Sequence, residues 1–146
     1  MIDITDKETV SREAMATGTI TLQKETIKII KENRVKKGDT IETAKIAGTL
    51  AVKNTSSMIP YCHPIPVMSI DFNFDVKESK ITVTCRVKAI YRTGVEMEAI
   101  NGVQASLLTI WDMVKYLEKD ETGNYPNTSI GNINVVYKKK GDSYTS

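Results

Sequence analysis

Met68-Ser69-Ile70-Asp71-Phe72-Asn73-Phe74-Asp75-Val76 alternates apolar and polar side chains at every step from Ser69 onward, and the alternation resumes after Lys77-Glu78-Ser79-Lys80 at Ile81, Val83, Cys85, Val87 and Ala89. A period of two puts every second side chain on the same face of a pleated strand. Two such runs joined by a short polar stretch predict an antiparallel hairpin with Met68, Ile70, Phe72, Phe74 and Val76 on one face. Upstream, Ala14 to Leu22 ends in the strand-like Thr19-Ile20-Thr21-Leu22. Gln23 to Glu32 reads as a short amphipathic helix around Ile27, Ile29 and Ile30. After the basic turn Val35-Lys36-Lys37-Gly38, Asp39-Thr40-Ile41-Glu42 has the form of a capping box, so a helix is predicted from Asp39 to about Lys53. Its small residues Ala44, Ala47, Gly48 and Ala51 predict close packing against a neighbour. Downstream, Val95 to about Lys119 predicts a long helix with an apolar stripe through Val103, Leu107, Ile110, Val114 and Leu117. A loop over residues 120–128, a last strand through Ile133, Val135 and Tyr137, and a basic tail from Lys138 complete the order. Strands and helices interleaved around a hairpin predict an α+β fold: a ferredoxin-like sandwich, mostly antiparallel, with its helices on one face. One domain over residues 1–146 is expected.

Composition narrows the function classes. Of 146 residues, 40% are hydrophobic and 26% charged, as in an ordinary soluble globular protein, and Lys+Arg 20 against Asp+Glu 18 leaves a net charge of +2. No strong attraction to nucleic acid follows. No apolar run approaches the length of a membrane span, and Met1-Ile2-Asp3-Ile4-Thr5-Asp6 lacks the basic and apolar parts of a signal peptide, so a cytoplasmic protein is expected. Cys62, Cys85 and the only histidine, His63, make neither a disulfide framework nor a zinc pattern, and no metal site is predicted.

His63 stands in Pro60-Tyr61-Cys62-His63-Pro64-Ile65-Pro66. Proline fixes its own φ and biases the preceding residue toward extended backbone, so Tyr61-Cys62-His63 is expected in a stiff loop. Such a loop suits a group aimed at a ligand and equally suits a sharp connector. Lys36 and Lys37 precede a helix start, where backbone N–H groups and the helix dipole favour an anion; a solvated lysine is the plainer reading. Asp112 and Lys115, three residues apart, share a helix face and form either a proton-transfer pair or a surface ion pair. The apolar neighbours Ile110-Trp111 and Met113-Val114 predict a desolvated Asp112 with a shifted proton affinity. Glu98 returns to within about 40° of the same face, about 21 Å away along the axis. Glu98 and Asp112 therefore either grip opposite ends of a long ligand or serve different sites across a subunit contact. Glu96 and Glu98 flank Met97 at the helix entrance, where acids are also favoured by charge. Arg12 and Arg92 could bind phosphate or serve as surface charges, and spacing alone does not choose.

Several motifs in register carry a resemblance: Lys37-Gly38-Asp39, Ala47-Gly48 with Ala51-Val52-Lys53, Ile59-Pro60-Tyr61-Cys62-His63-Pro64, Thr93-Gly94-Val95-Glu96-Met97-Glu98-Ala99 and Leu108-Thr109-Ile110-Trp111-Asp112-Met113-Val114-Lys115. Together with Ile4-Thr5-Asp6-Lys7 and Ser11-Arg12-Glu13-Ala14, the chain resembles the cyclic pyranopterin monophosphate synthase family, the C protein of the first stage of molybdenum cofactor biosynthesis, over about Met1 to Lys119. The resemblance implies a ferredoxin-like subunit in a homohexamer, a trimer of dimers with active sites at subunit contacts. It implies conversion of a cyclised dihydro-GTP intermediate into cyclic pyranopterin monophosphate with release of pyrophosphate. By resemblance Asp112 is the catalytic acid/base and Lys37 and Lys115 the catalytic lysines. Tyr61, Cys62, His63, Met97 and Glu98 contact the substrate, and Arg12, Lys53 and Glu96 occupy further pocket positions. No redox cofactor is required; whether Mg²⁺ accompanies the triphosphate stays open.

The chain departs from the family in three places. The family tail Gly-Gly-Lys-Ser-Gly is replaced by Lys140-Gly141-Asp142-Ser143-Tyr144, Tyr61 stands where leucine is usual, and the loop from Asp120 to Ser129 is longer than in the bacterial pattern. A rival reading is an RNA-binding ferredoxin-like module, with Phe72 and Phe74 as stacking aromatics and Lys138 to Lys140 on the backbone. The absent Gly-and-aromatic signature and the balanced charge weigh against it. A catalytically silent assembly partner is a third reading, opposed by the presence of Lys37, Asp112 and Lys115.

Overall fold

The computed structural model describes residues 1–143. Val10–Thr21 (β1), Val67–Val76 (β2), Lys80–Tyr91 (β3) and Ser129–Ser143 (β4) form one antiparallel sheet in the order β2-β3-β1-β4. Lys24–Lys31 (α1), Thr40–Lys53 (α2), the single turn Thr55–Met58 (α3) and Glu96–Glu118 (α4) supply the helices. This is the α+β ferredoxin-like sandwich that the pattern predicts. Its core lies between the sheet and the α2–α4 pair, with Ala14, Ala16, Ile81, Val83 and Cys85 from the strands meeting Val103, Leu107 and Ile110 from α4.

The hairpin register explains one departure. Phe72, Phe74 and Val76 sit opposite Cys85, Val83 and Ile81, as alternation requires, but the ladder shifts between Val67 and Ser69. A bulge there leaves Met68 outside the inward-facing set, and it is 67% exposed, whereas Val67 packs against the core in its place. Phe72 and Phe74 are half-buried against the core, so they are not an exposed stacking platform.

Two strands extend further than periodicity suggests. β1 begins at Val10 rather than Ala14, because it is the strand paired with both β3 and β4, and that pairing overrides the polar run Ser11-Arg12-Glu13. The predicted basic tail is strand as well: Lys138, Lys139 and Lys140 pair with Ala14, Glu13 and Arg12. Lysines suit an edge strand, whose open side faces water. Tyr144 of the tail motif lies outside the described residues.

The small residues of α2 serve the predicted close approach. A Cβ on Gly48 would lie 2.3 Å from Ser106 Oγ and 2.5 Å from Phe72 Cζ, and the Ser106 hydroxyl donates to the Ala44 carbonyl at 3.1 Å. Asp39 caps α2 as predicted, accepting from the Glu42 N–H at 3.0 Å. At the far end of α4, buried Glu118 accepts from the Gln23 N–H at 3.2 Å, from the Thr128 hydroxyl at 2.7 Å and from the Thr26 hydroxyl. This carboxylate ties the end of α4 to the start of α1, whose N-terminal dipole favours it.

Candidate active site

The loop before α2 presents Lys37 to α4. Val35 is buried and anchors the loop, Gly38 closes a turn onto the Val35 carbonyl at 3.1 Å, and the Lys36 N–H donates to the Tyr116 hydroxyl at 2.9 Å. Gly38 has φ +118°, a backbone conformation that suits glycine. Lys37 Nζ then donates to the Asp112 carbonyl at 2.9 Å and to Asp112 Oδ2 at 3.1 Å, while Lys115 Nζ lies 3.1 Å from Oδ1. Each carboxylate oxygen thus has its own ammonium partner. Hydrogen bonds from Lys37 first and Lys115 second hold the Asp112 carboxyl below the ordinary aspartate range. The expected desolvation is outweighed: Asp112 is 56% exposed, because Ile110 and Met113 turn into the core while residue 112 points away, and burial acts on it less than either lysine. The lysines shift its proton affinity, and they do so downward.

At the other end of α4, the Pro-rich loop meets the helix. Glu98 is buried, its Oε2 lies 3.8 Å from the Cys62 sulfur, and its Oε1 has no hydrogen-bond partner among the described residues. Burial chiefly pushes the Glu98 carboxyl up, and burial followed by the Glu98 charge pushes the Cys62 thiol up. Asn101, one turn on, donates to the Ala51 carbonyl at 3.0 Å and the Thr55 hydroxyl at 3.2 Å, fixing the α2–α3 corner that leads into this loop. The N-terminal segment crosses the site as a strap: His63 Nε2 is 2.8 Å from the Ile2 carbonyl, and Arg92 donates to the Thr5 carbonyl at 2.6 Å. Cys62, His63, Glu96 and Met97 line a cavity of about 540 Å³ beneath the strap, with Tyr61, 76% exposed, also lining it.

A second hollow, about 330 Å³, shares Gly94 and Glu96 with the first and adds Arg12, Lys138 and Lys140. Arg12 and Lys140 are cross-strand partners, Arg12 Nε is 3.4 Å from the Tyr91 carbonyl, and Lys138 Nζ is 3.3 Å from Glu96 Oε1. A model of the MoaC family matches residues 1–141 of the chain. This chain belongs to the MoaC family. Among MoaC relatives, a probable cyclic pyranopterin monophosphate synthase of Pyrococcus horikoshii is 55% identical over 140 residues, covering 96% of this chain and 88% of the relative. Those of Thermoplasma volcanium and Aeropyrum pernix, which carry the same name, are each 54% identical, over 96% and 97% of this chain and 93% and 97% of their own lengths.

On this MoaC-family chain the structure therefore gathers the candidates into two groups. Lys37, Asp112 and Lys115 form one, at the C-terminal half of α4; Cys62, His63, Glu96, Met97, Glu98, Arg12 and the exposed Tyr61 form the other, at its N-terminal end. The Glu98–Asp112 spacing of about 21 Å along the helix keeps them apart within one subunit. Lys53, in the last turn of α2, lines a shallow hollow with Lys45, Ile46 and Leu50 and belongs to neither group. Tyr116 escaped the sequence reading, which took Lys138 and Lys140 only as a basic tail and as backbone contacts of the RNA-binding alternative, and Ile4-Thr5-Asp6-Lys7 only as part of the resemblance. Lys138 and Lys140 could have been found by running β4 through the lysines, since both then share a sheet face with Arg12; Tyr116 gave no local signal.

Proposed function

We propose that this MoaC-family chain is a cyclic pyranopterin monophosphate synthase, a lyase of molybdenum cofactor biosynthesis that acts on the cyclised dihydro-GTP intermediate and releases pyrophosphate. The observation that carries the reading is the Lys37–Asp112–Lys115 cluster, with an ionised carboxylate held between two ammonium groups on a rigid helix. Rearranging the purine ring into a pyran-fused pterin requires protons to be taken and returned, and Asp112 with its lysines can exchange them. When a substrate hydroxyl attacks the α-phosphorus, the bond to the β-phosphate oxygen breaks and negative charge gathers on departing pyrophosphate; cations at that position stabilise it. Arg12, Lys138 and Lys140 provide a cationic wall. Cys62, His63, Met97, Glu98 and Tyr61 contact the pterin portion, and Lys53 and Glu96 serve as further pocket residues.

The separation of the two groups favours a site shared between subunits. Ile46 and Leu50 on α2 are each 53% exposed and Leu108 on α4 is 65% exposed, apolar surface that suits a contact with another copy of the chain. A homohexamer built as a trimer of dimers, with each subunit folded as one domain, agrees with both features. The reaction has no redox step and needs no resident cofactor, although Mg²⁺ can accompany the triphosphate. Among the described residues no helix is long and apolar enough to cross a membrane, which agrees with a cytoplasmic enzyme. Incubating the purified protein with the cyclised intermediate and measuring cyclic pyranopterin monophosphate and pyrophosphate together tests the reading. Both products should form in equal amounts, and binding without either product would overturn it.

A further inference from the structure

We infer that Tyr116 is a positioning residue whose hydroxyl holds the Lys37 loop against Asp112. The inference deepens the proposed function, because it takes Lys37 as a working group of that reaction. The hydrogen bonds that shape the loop internally, from Gly38 to Val35 and from Glu42 to Asp39, fix its turn and its junction with α2 but do not fix its distance from α4. Among the described residues, the loop's hydrogen bonds to α4 are those of the Lys37 ammonium and that of the Lys36 N–H, which reaches the Tyr116 hydroxyl at 2.9 Å. The second is a main-chain bond one residue before Lys37, so it places the Lys37 backbone before its long side chain is considered. Tyr116 lies four residues beyond Asp112, on the same face of the helix. The anchor of the loop and the acceptor of the ammonium are therefore fixed on one rigid element. The Lys36 ammonium also lies 5.2 Å from the centre of the Tyr116 ring, closing the loop over the same side chain. Lysine loses much rotamer freedom when it is held, and a pinned backbone reduces how much remains to be lost.

The test uses the full-length protein with ¹³C-labelled aspartate carboxyls. The Asp112 signal is assigned with Asp112→Asn and titrated in wild type, Tyr116→Phe, Lys37→Met and the double variant. Tyr116→Phe keeps the ring and removes only the acceptor. The charged neighbours of Asp112 are Lys37 from the loop and Lys115 from its own helix. Loss of the loop anchor should shift the Asp112 midpoint upward, part of the way to its position in Lys37→Met. Adding Tyr116→Phe to Lys37→Met should then change nothing further. Turnover of the cyclised intermediate by Tyr116→Phe should fall about fivefold in kcat with KM changed by less than about twofold. A Tyr116→Phe titration that superimposes on wild type overturns the inference, even if activity falls. A further shift in the double variant overturns it too, because Tyr116 would then act on Asp112 directly. Wild-type protein inert toward the intermediate would sink the synthase reading, while the titrations would still decide the role of Tyr116.

Discussion

The Cys62 sulfur lies 3.8 Å from Oε2 of Glu98, so the Pro-rich loop meets α4 at a thiol–carboxylate contact whose second oxygen, Oε1, is buried with no hydrogen-bond partner among the described residues. Burial raises the Glu98 carboxyl, and the folded protein therefore holds that proton more tightly than the unfolded chain does. The associated stability is complete below the ordinary glutamate range and is lost as pH rises through the raised value. Relative to wild type, Glu98→Gln should gain on the order of 1 kcal/mol in unfolding free energy between about pH 4 and pH 8. Urea unfolding of both proteins across that range checks this; a pH-independent difference would contradict it.

Lys37→Ala should lower turnover at least about a hundredfold, because it removes a cation from the reacting centre. The Lys37–Asp112 pair is exposed, so the thermal midpoint should stay close to that of wild type. Product assays alongside melting curves separate these effects, and full activity in the variant would remove Lys37 from the mechanism.

Gly48→Val should destabilise the fold by about 3 kcal/mol, because even its Cβ would fall 2.3 Å from Ser106 Oγ and 2.5 Å from Phe72 Cζ. The clash is with side chains already packed between α2, α4 and β2. Chemical denaturation reads the loss directly, and an unchanged midpoint would show that the helices can separate freely.

Leu108→Asp places a charge on an apolar patch that is open in the single subunit. If this face joins subunits, the variant should sediment as a smaller species and lose activity at least about tenfold, with its secondary structure unchanged. Analytical ultracentrifugation together with the product assay tests the connection. An assembly of wild-type size would show that Leu108 lies outside the contact.

The hairpin, the capped helix at Asp39 and the long helix were legible because each repeats a local rule many times over. Met68 was misplaced because a bulge changes the count of residues without altering their alternation. Lys138 to Lys140 were read as tail because lysine has little strand preference of its own, and the pairing that orders them comes from a strand more than a hundred residues away. The partners of Asp112 show the same division. Lys115 is visible at helical spacing, whereas Lys37 reaches Asp112 only once the loop has folded onto α4, and Tyr116, also at helical spacing, gains its role only from the Lys36 N–H that it then accepts. Glu118 gave no sign of burial, since its three donors come from Gln23, Thr26 and Thr128.

Arg12 is borne by β1, a central strand hydrogen-bonded along both edges. Its amides should exchange with solvent deuterium only in rare, large openings of the molecule, whereas amides of the strap and of the Lys37 loop should exchange through small local excursions. The cationic wall would then present an incoming phosphate with a fixed reference point, and the groups facing it would complete their alignment around the bound ligand. Ligand-induced slowing of deuterium uptake should accordingly be concentrated in the strap and the loop, with β1 protected equally in both states.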